Sequence, residues 1–153
     1  MLHFAYGSNM SRALMAGRCP GAVALGTAVL DHWRFVICRA GYASIEPAVG
    51  ARVHGVLWRL DLRDVAAVDA YENLAAGLYI RRTLPVCRGG RLTPAWVYIA
   101  GRRGEGAPKP SYIHLVVEAA RDWGLPAPYI GSLQRWSTSG WRGARHKETG
   151  EIR

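Results

Sequence analysis

Extended runs separated by very short turns constrain this chain more than any other feature. Residues 22–30, 33–39, 53–60, 77–86 and 91–100 read as strands, rich in β-branched, aromatic and other apolar side chains. Asp31-His32 reads as a turn between the first two, and Arg88-Gly89-Gly90 is a hairpin signal between the last two. The strongest strand, 53–60, carries Gly55 in its interior, which suggests a bulge or a close approach by another group. His54 beside it either faces a ligand or bonds a neighbouring carbonyl. A further short extended piece at 43–47 is closed by Pro47. Strands outnumber helices and are often hairpin-linked, so the expected class is α+β with a small, curved or barrel-like mixed sheet.

At the N-terminus, Leu2 to Tyr6 reads as a short buried strand. Gly7-Ser8-Asn9 then permits a sharp turn, because Gly tolerates positive φ and Ser and Asn bond neighbouring amides. Ser11 is placed to cap a helix over residues 12–17, which Gly17 and Pro20 bring to an end. A strand, a turn and a helix start gather backbone N–H groups at one point, a candidate seat for a small carboxylate or phosphate. The plain alternative is an ordinary strand-to-helix connection.

A second helix begins at Asp61 with Asp64 in its first turn, and Leu62, Val65, Ala66, Val68 and Tyr71 supply a broad apolar face. It ends in Ala70-Tyr71-Glu72-Asn73. Pro110 opens a third helix reaching Trp123, with Ile113, Val116, Val117 and Ala120 on one side and Gly124 as the stop. A short helix follows over residues 129–136. The loop at 101–110 is Gly- and Arg-rich but lacks the spacing of a phosphate loop.

At 153 residues the chain is expected to form one domain with a core of its own, residues 1–136. Residues 137–153 read as a polar, loosely ordered tail that only Trp141 is able to anchor. The net charge of +9 fits polyanion binding, but it is almost all Arg and scattered, so nucleic acid is not the expected partner. The longest uncharged apolar run, 21–30, is too short for a membrane span, and no basic n-region or secretory signal is visible. Cys19, Cys38 and Cys87 are odd in number and widely separated, which argues against disulfides or a zinc site and suits a cytoplasmic location. The five histidines show no ligand-like spacing, and no metal or other cofactor is expected. There is no Gly-x-Ser-x-Gly, Rossmann fingerprint or P-loop, so an enzyme of this sequence works without a covalent nucleophile.

The run Phe4-Ala5-Tyr6-Gly7-Ser8-Asn9-Met10 resembles the opening motif of the γ-glutamylcyclotransferase-like family. Val68-Asp69-Ala70-Tyr71-Glu72-Asn73, followed by Gly77-Leu78-Tyr79, is similar to its segment with a helix-end acid ahead of a Gly-x-Tyr strand. Pro108-Lys109-Pro110-Ser111-Tyr112 resembles its Pro-x-Pro-x-Tyr helix start. The resemblance covers residues 2–130 and implies a small β-barrel with helices around it. The implied activity is closure of a γ-glutamyl amide to 5-oxoproline with release of an amine or amino acid.

By the same resemblance Glu72 is the general acid/base, and Tyr6, Gly7, Ser8, Asn9, Met10, Tyr79 and Tyr112 bind a small γ-glutamyl substrate. Read alone, Glu72 is sooner a solvated helix-end carboxylate, Tyr79 is equally a strand core residue and Tyr112 equally a helix-face anchor. Arg81 or Arg82 is a candidate for a substrate carboxylate. The alternatives are a small-amide hydrolase or transferase on the same fold, or a polyanion-binding protein. The leaving amine and the oligomeric state are not legible, since variable loops build that part of a pocket.

Overall fold

The computed structural model describes residues 1–102 and 104–137. Five strands, β1 (Leu2–Ala5), β2 (Val23–Ile37), β3 (Ala43–Arg59), β4 (Tyr79–Arg88) and β5 (Arg91–Ala100), close into a barrel among these residues. The order around it is β1-β3-β2-β4-β5. Every seam is antiparallel except the last, where β1 meets β5 in parallel at His3 and Trp96. Among the described residues four α-helices accompany it: α1 (Arg12–Arg18), α2 (Leu62–Tyr71), α3 (Pro110–Asp122) and α4 (Ala127–Gln134). The expected α+β barrel is therefore the fold observed. The polar tail expected from residue 137 onwards, Trp141 included, lies outside the described residues beyond Ser137.

Two boundaries differ from expectation, for one reason. Asp31-His32 is not a turn: β2 runs through it without stopping, and β3 likewise runs through Pro47. The pairing moves from Asp31 with Arg52 to Trp33 with Pro47, so residues 48–51 of β3 bulge outwards. His32 takes φ 68° at the break, and the Gly50 amide, itself at φ 82°, donates to its Nδ1 at 3.3 Å. Pro47 sits at the edge of this break, where its missing N–H costs the ladder least. At the β4–β5 hairpin Gly89 and Gly90 both have positive φ, 57° and 78°, as a tight two-residue turn requires.

Gly55 marks a close approach rather than a bulge. A Cβ there would lie 2.3 Å from the Ala5 carbonyl oxygen and 2.9 Å from Phe4 Cζ. Only glycine lets β1 lie this tightly on β3, and that contact fixes where the chain leaves the barrel after Ala5. His54 packs its ring on Tyr129 of α4, with centroids 4.7 Å apart.

Phe4, Leu30, Ile37, Val53, Val56, Leu57, Val86 and Val97 are fully buried in the barrel strands. The expected apolar side of α3 is buried at Ile113, Val116, Val117 and Ala120. At about 25 cal/mol per Å² of apolar surface, each fully buried Val, Leu, Ile or Phe among these contributes roughly 1.5–3 kcal/mol. The face of α2 is narrower than expected: Val65 and Val68 are buried, but Leu62 is 78% and Tyr71 42% exposed. Buried Asp64 shares that face and receives the Gly21 amide at 3.4 Å.

Candidate active site

The end of β1, the end of α2, the starts of β4 and α3 and the segment after β2 surround a cavity of ≈ 220 Å³. Barrel closure brings these pieces together although they lie far apart in the chain. Tyr6, Gly7, Ser8, Asn9, Glu72, Tyr79 and Tyr112 all line it. Met10 does not. Its side chain is fully buried, its amide donates to the Gly7 carbonyl at 3.0 Å, and its carbonyl receives the Trp123 indole N–H at 2.7 Å. Met10 thus pins the loop to α3 from behind.

The loop after β1 differs in detail from the expected turn. Ser8–Met10 form one 3₁₀ turn, closed by the Met10 and Ser11 amides donating to Gly7 and Ser8 carbonyls. Ser11 then caps α1, its hydroxyl receiving the Leu14 amide at 3.3 Å. The amides of Gly7, Ser8 and Asn9 take no part in the turn's own bonds. Gly7 has φ −116°, so positive φ is not its reason for being glycine. Space is: a Cβ would stand 3.0 Å from Ala43 Cβ and 3.1 Å from the Tyr112 hydroxyl.

Glu72 closes α2, and Asn73 after it turns left-handed at φ 55°, a conformation that Asn tolerates better than most side chains. That stop leaves Glu72 on the cavity wall. Its Oε1 receives the Asn9 side-chain N–H at 3.3 Å. Burial pushes its carboxyl up to about 7, while the Arg18 guanidinium pulls the other way.

Arg18 was not legible as a site residue. It donates to Asn9 Oδ1 at 2.5 Å and to Ser8 Oγ at 3.4 Å, and lies 3.4 Å over the Tyr71 ring. The Tyr71 hydroxyl in turn meets Ser8 Oγ at 3.2 Å. By occupying the Asn9 oxygen, Arg18 turns the amide nitrogen of Asn9 towards Glu72. In sequence an Arg in the last turn of a helix reads only as a complement to the helix dipole.

Buried Tyr6 and Tyr79 and half-buried Tyr112 complete the wall. Tyr6 donates to the Tyr98 carbonyl, Tyr79 donates to the Ala43 carbonyl at 2.6 Å, and Tyr112 accepts the Ala43 amide at 3.0 Å. Burial raises all three above the ordinary tyrosine range, so they stay neutral. His3, also unforeseen, lines the same cavity as a neutral imidazole, pushed down to about 4 by burial.

The arginines expected at the substrate are elsewhere. Arg81 bonds both Asp69 oxygens, at 3.0 and 2.8 Å, and stacks 4.0 Å over Trp96. Arg82 lies 5.6 Å over Trp33, and neither lines the cavity. Among the described residues, no three His, Cys, Asp or Glu side chains group closely enough to hold a metal.

The arrangement offers one acid of near-neutral pKa, a polar loop and neutral hydroxyls around a small cavity. The model of the AIG2-like family matches residues 52–133. Gamma-glutamylcyclotransferase of Mus musculus is 26% identical over 99% of this chain and 86% of its own length. The Bos taurus protein of that name is 25% identical over the same shares. A solved structure described as a gamma-glutamyl cyclotransferase superposes with a TM-score of 0.82 at 24% identity, over 88% of this chain and 86% of the other. With its barrel, its loop after β1 and its helix-end acid in hand, the chain belongs to the AIG2-like family and is γ-glutamylcyclotransferase-like.

Proposed function

We propose that this protein is a γ-glutamylcyclotransferase, converting a γ-glutamyl amide into 5-oxoproline and a free amine or amino acid. The observation that carries the reading is the single carboxyl of Glu72 on the cavity wall, raised to about 7 and bonded to Asn9 of the loop after β1. The curated relatives bear the same name at about a quarter identity over almost the whole chain.

The reaction needs little from the protein, because the substrate brings its own nucleophile. Glu72 as carboxylate takes a proton from the substrate α-ammonium. The freed amine attacks the γ-carbonyl carbon, forming the ring C–N bond and moving the carbonyl electron pair onto oxygen. Collapse of that oxyanion breaks the bond to the leaving nitrogen, which receives the proton from Glu72; the carboxylate so regenerated takes the surplus proton of the ring nitrogen, which leaves with the released amine as ammonium. A well-oriented intramolecular attack is equivalent to about 10⁵–10⁸ M of external amine. The cavity's first task is therefore to hold the substrate folded, and the loop amides of Gly7, Ser8 and Asn9 suit its glutamyl end.

No described helix is long and apolar enough to cross a membrane. The free thiols of buried Cys19 and Cys38 suit a reducing compartment, and we place the enzyme in the cytoplasm on that ground.

The test is incubation with a panel of γ-glutamyl dipeptides, γ-glutamylamines and glutathione, with 5-oxoproline read by mass spectrometry. The expected result is 5-oxoproline in equimolar amount with the released amine. Absence of 5-oxoproline from the whole panel sinks the reading, and free glutamate in its place assigns a hydrolase.

A further inference from the structure

Ala43 is gripped at both ends by tyrosines of opposite polarity. Its carbonyl receives the Tyr79 hydroxyl at 2.6 Å, while its amide donates to the Tyr112 hydroxyl oxygen at 3.0 Å. A hydroxyl carries one proton and two lone pairs. Tyr79 and Tyr6 have each spent that proton on a backbone carbonyl. Tyr112 has not. The Ala43 amide occupies a lone pair of the Tyr112 oxygen. Among the described residues no acceptor takes its proton.

We propose that Tyr112 is the oxyanion donor of the reaction: its O–H bonds the γ-carbonyl oxygen of the substrate and holds the negative charge formed when the α-amine adds. This rests on the γ-glutamyl reading above and assigns a residue to the step that reading leaves open. The atoms balance without a further reagent. The carbonyl electron pair moves onto oxygen opposite the Tyr112 O–H, and returns to expel the amine. Tyr112 keeps its proton throughout.

Three further observations support the assignment. Tyr112 and Glu72 line the same small cavity, where an acid/base and an oxyanion donor must both reach one carbonyl group. The oxygen is closely surrounded: a Cβ on Gly7 would stand 3.1 Å from it, and the Tyr42 ring meets the Tyr112 ring edge-on at 5.2 Å. Such a donor costs no reorganisation when charge develops, which is the source of its catalytic effect. Burial, with smaller contributions from Tyr71 and Glu72, also holds the hydroxyl above the ordinary tyrosine range and so keeps it protonated.

The experiment is steady-state kinetics of Tyr112→Phe on the best γ-glutamyl substrate of the panel, with a thermal melt to establish that the variant is folded. Loss of one oxyanion donor lowers kcat by about 10²–10³, with KM changed by less than about threefold. A purely structural tyrosine would lower the melting temperature but not kcat per folded molecule. Should Tyr112→Phe fail to fold, ring-fluorinated tyrosines at 112 keep the hydroxyl and the packing, and kcat should change in graded fashion with donor acidity.

Wild-type turnover with kcat of Tyr112→Phe within about threefold, or no response to fluorination, overturns this proposal alone. Wild-type protein that makes no 5-oxoproline overturns the underlying reading first, so the two failures are separable.

Discussion

The side-chain amide of Asn9 donates to the Glu72 carboxylate at 3.3 Å across 63 positions of the chain. It joins the loop after the first strand to the end of the second helix, and so joins the proposed glutamyl seat to the proposed base. Removing the base should remove the reaction. Glu72→Gln keeps the shape and the bond to Asn9 but cannot accept a proton, and kcat should fall by about 10²–10⁴. Steady-state 5-oxoproline release measures this, and undiminished turnover would disqualify Glu72.

The pH profile should follow the same carboxyl. Glu72 works as a base only when ionised, and its folded value stands near 7. In the free enzyme kcat/KM should therefore rise with pH and level off above about 7, not near 4.5 as for a solvated glutamate. A profile already flat from pH 5 upwards would place the base elsewhere.

Arg18 should control that limb. It is the cation that lowers Glu72 against the effect of burial, and it orients Asn9. Tyr6, Tyr79 and Tyr112 also face Glu72 but remain neutral. Arg18→Met should shift the rising limb to higher pH and lower kcat/KM most at acidic pH. Arg18→Lys should restore the charge effect in part but not the paired contacts to Asn9 and Ser8. An unmoved limb in Arg18→Met would show that this guanidinium does not reach the base electrostatically.

Stability should move in the opposite sense to activity. The fold raises the Glu72 carboxyl from 4.5 to about 7, so its contribution is fully present below about 4.5 and is lost as pH rises through 7. At pH 8 the wild-type fold bears a burdened carboxylate, worth at most about 3 kcal/mol and less with part of the group in solvent. Glu72→Gln should thus melt several degrees higher than wild type at pH 8, with the gap closing by pH 4. Equal melting temperatures at pH 8 would mean that the carboxyl is well solvated.

Gly55→Ala should break the barrel rather than the chemistry. The new Cβ meets the Ala5 carbonyl oxygen at 2.3 Å, and neither strand backbone is free to yield. A loss of about 1–3 kcal/mol or more is expected, read by chemical denaturation. Activity should fall with it, because the displaced β1 carries the Tyr6–Asn9 segment. Wild-type stability in this variant would show that β1 packs less tightly on β3.

Much of this was open to view in the residues themselves. Apolar, β-branched strand runs, the Gly89-Gly90 turn, the Ser11 and Asp61 caps and the apolar side of α3 are local signals, decided by backbone preference and burial within a few residues. The same local logic misplaced Asp31-His32 and Pro47, because the bulge there is settled by pairing between two long strands and not within either. It also overestimated the apolar face of α2, since which turns of a helix are covered depends on what lies opposite.

The chain on its own determined the elements, their class and, through the runs around Tyr6–Asn9, Glu72, Tyr79 and Tyr112, the identity of most of the cavity wall. Tertiary structure decided the chemistry of that wall. A carboxyl becomes a base near neutral pH only when other segments take water from it, and Arg18 matters only because the fold returns it to Asn9. Met10 and Arg81 turn away for the same reason. Direction and desolvation come from contacts that no local preference records, whether across nine positions, as between Asn9 and Arg18, or across 63, as between Asn9 and Glu72.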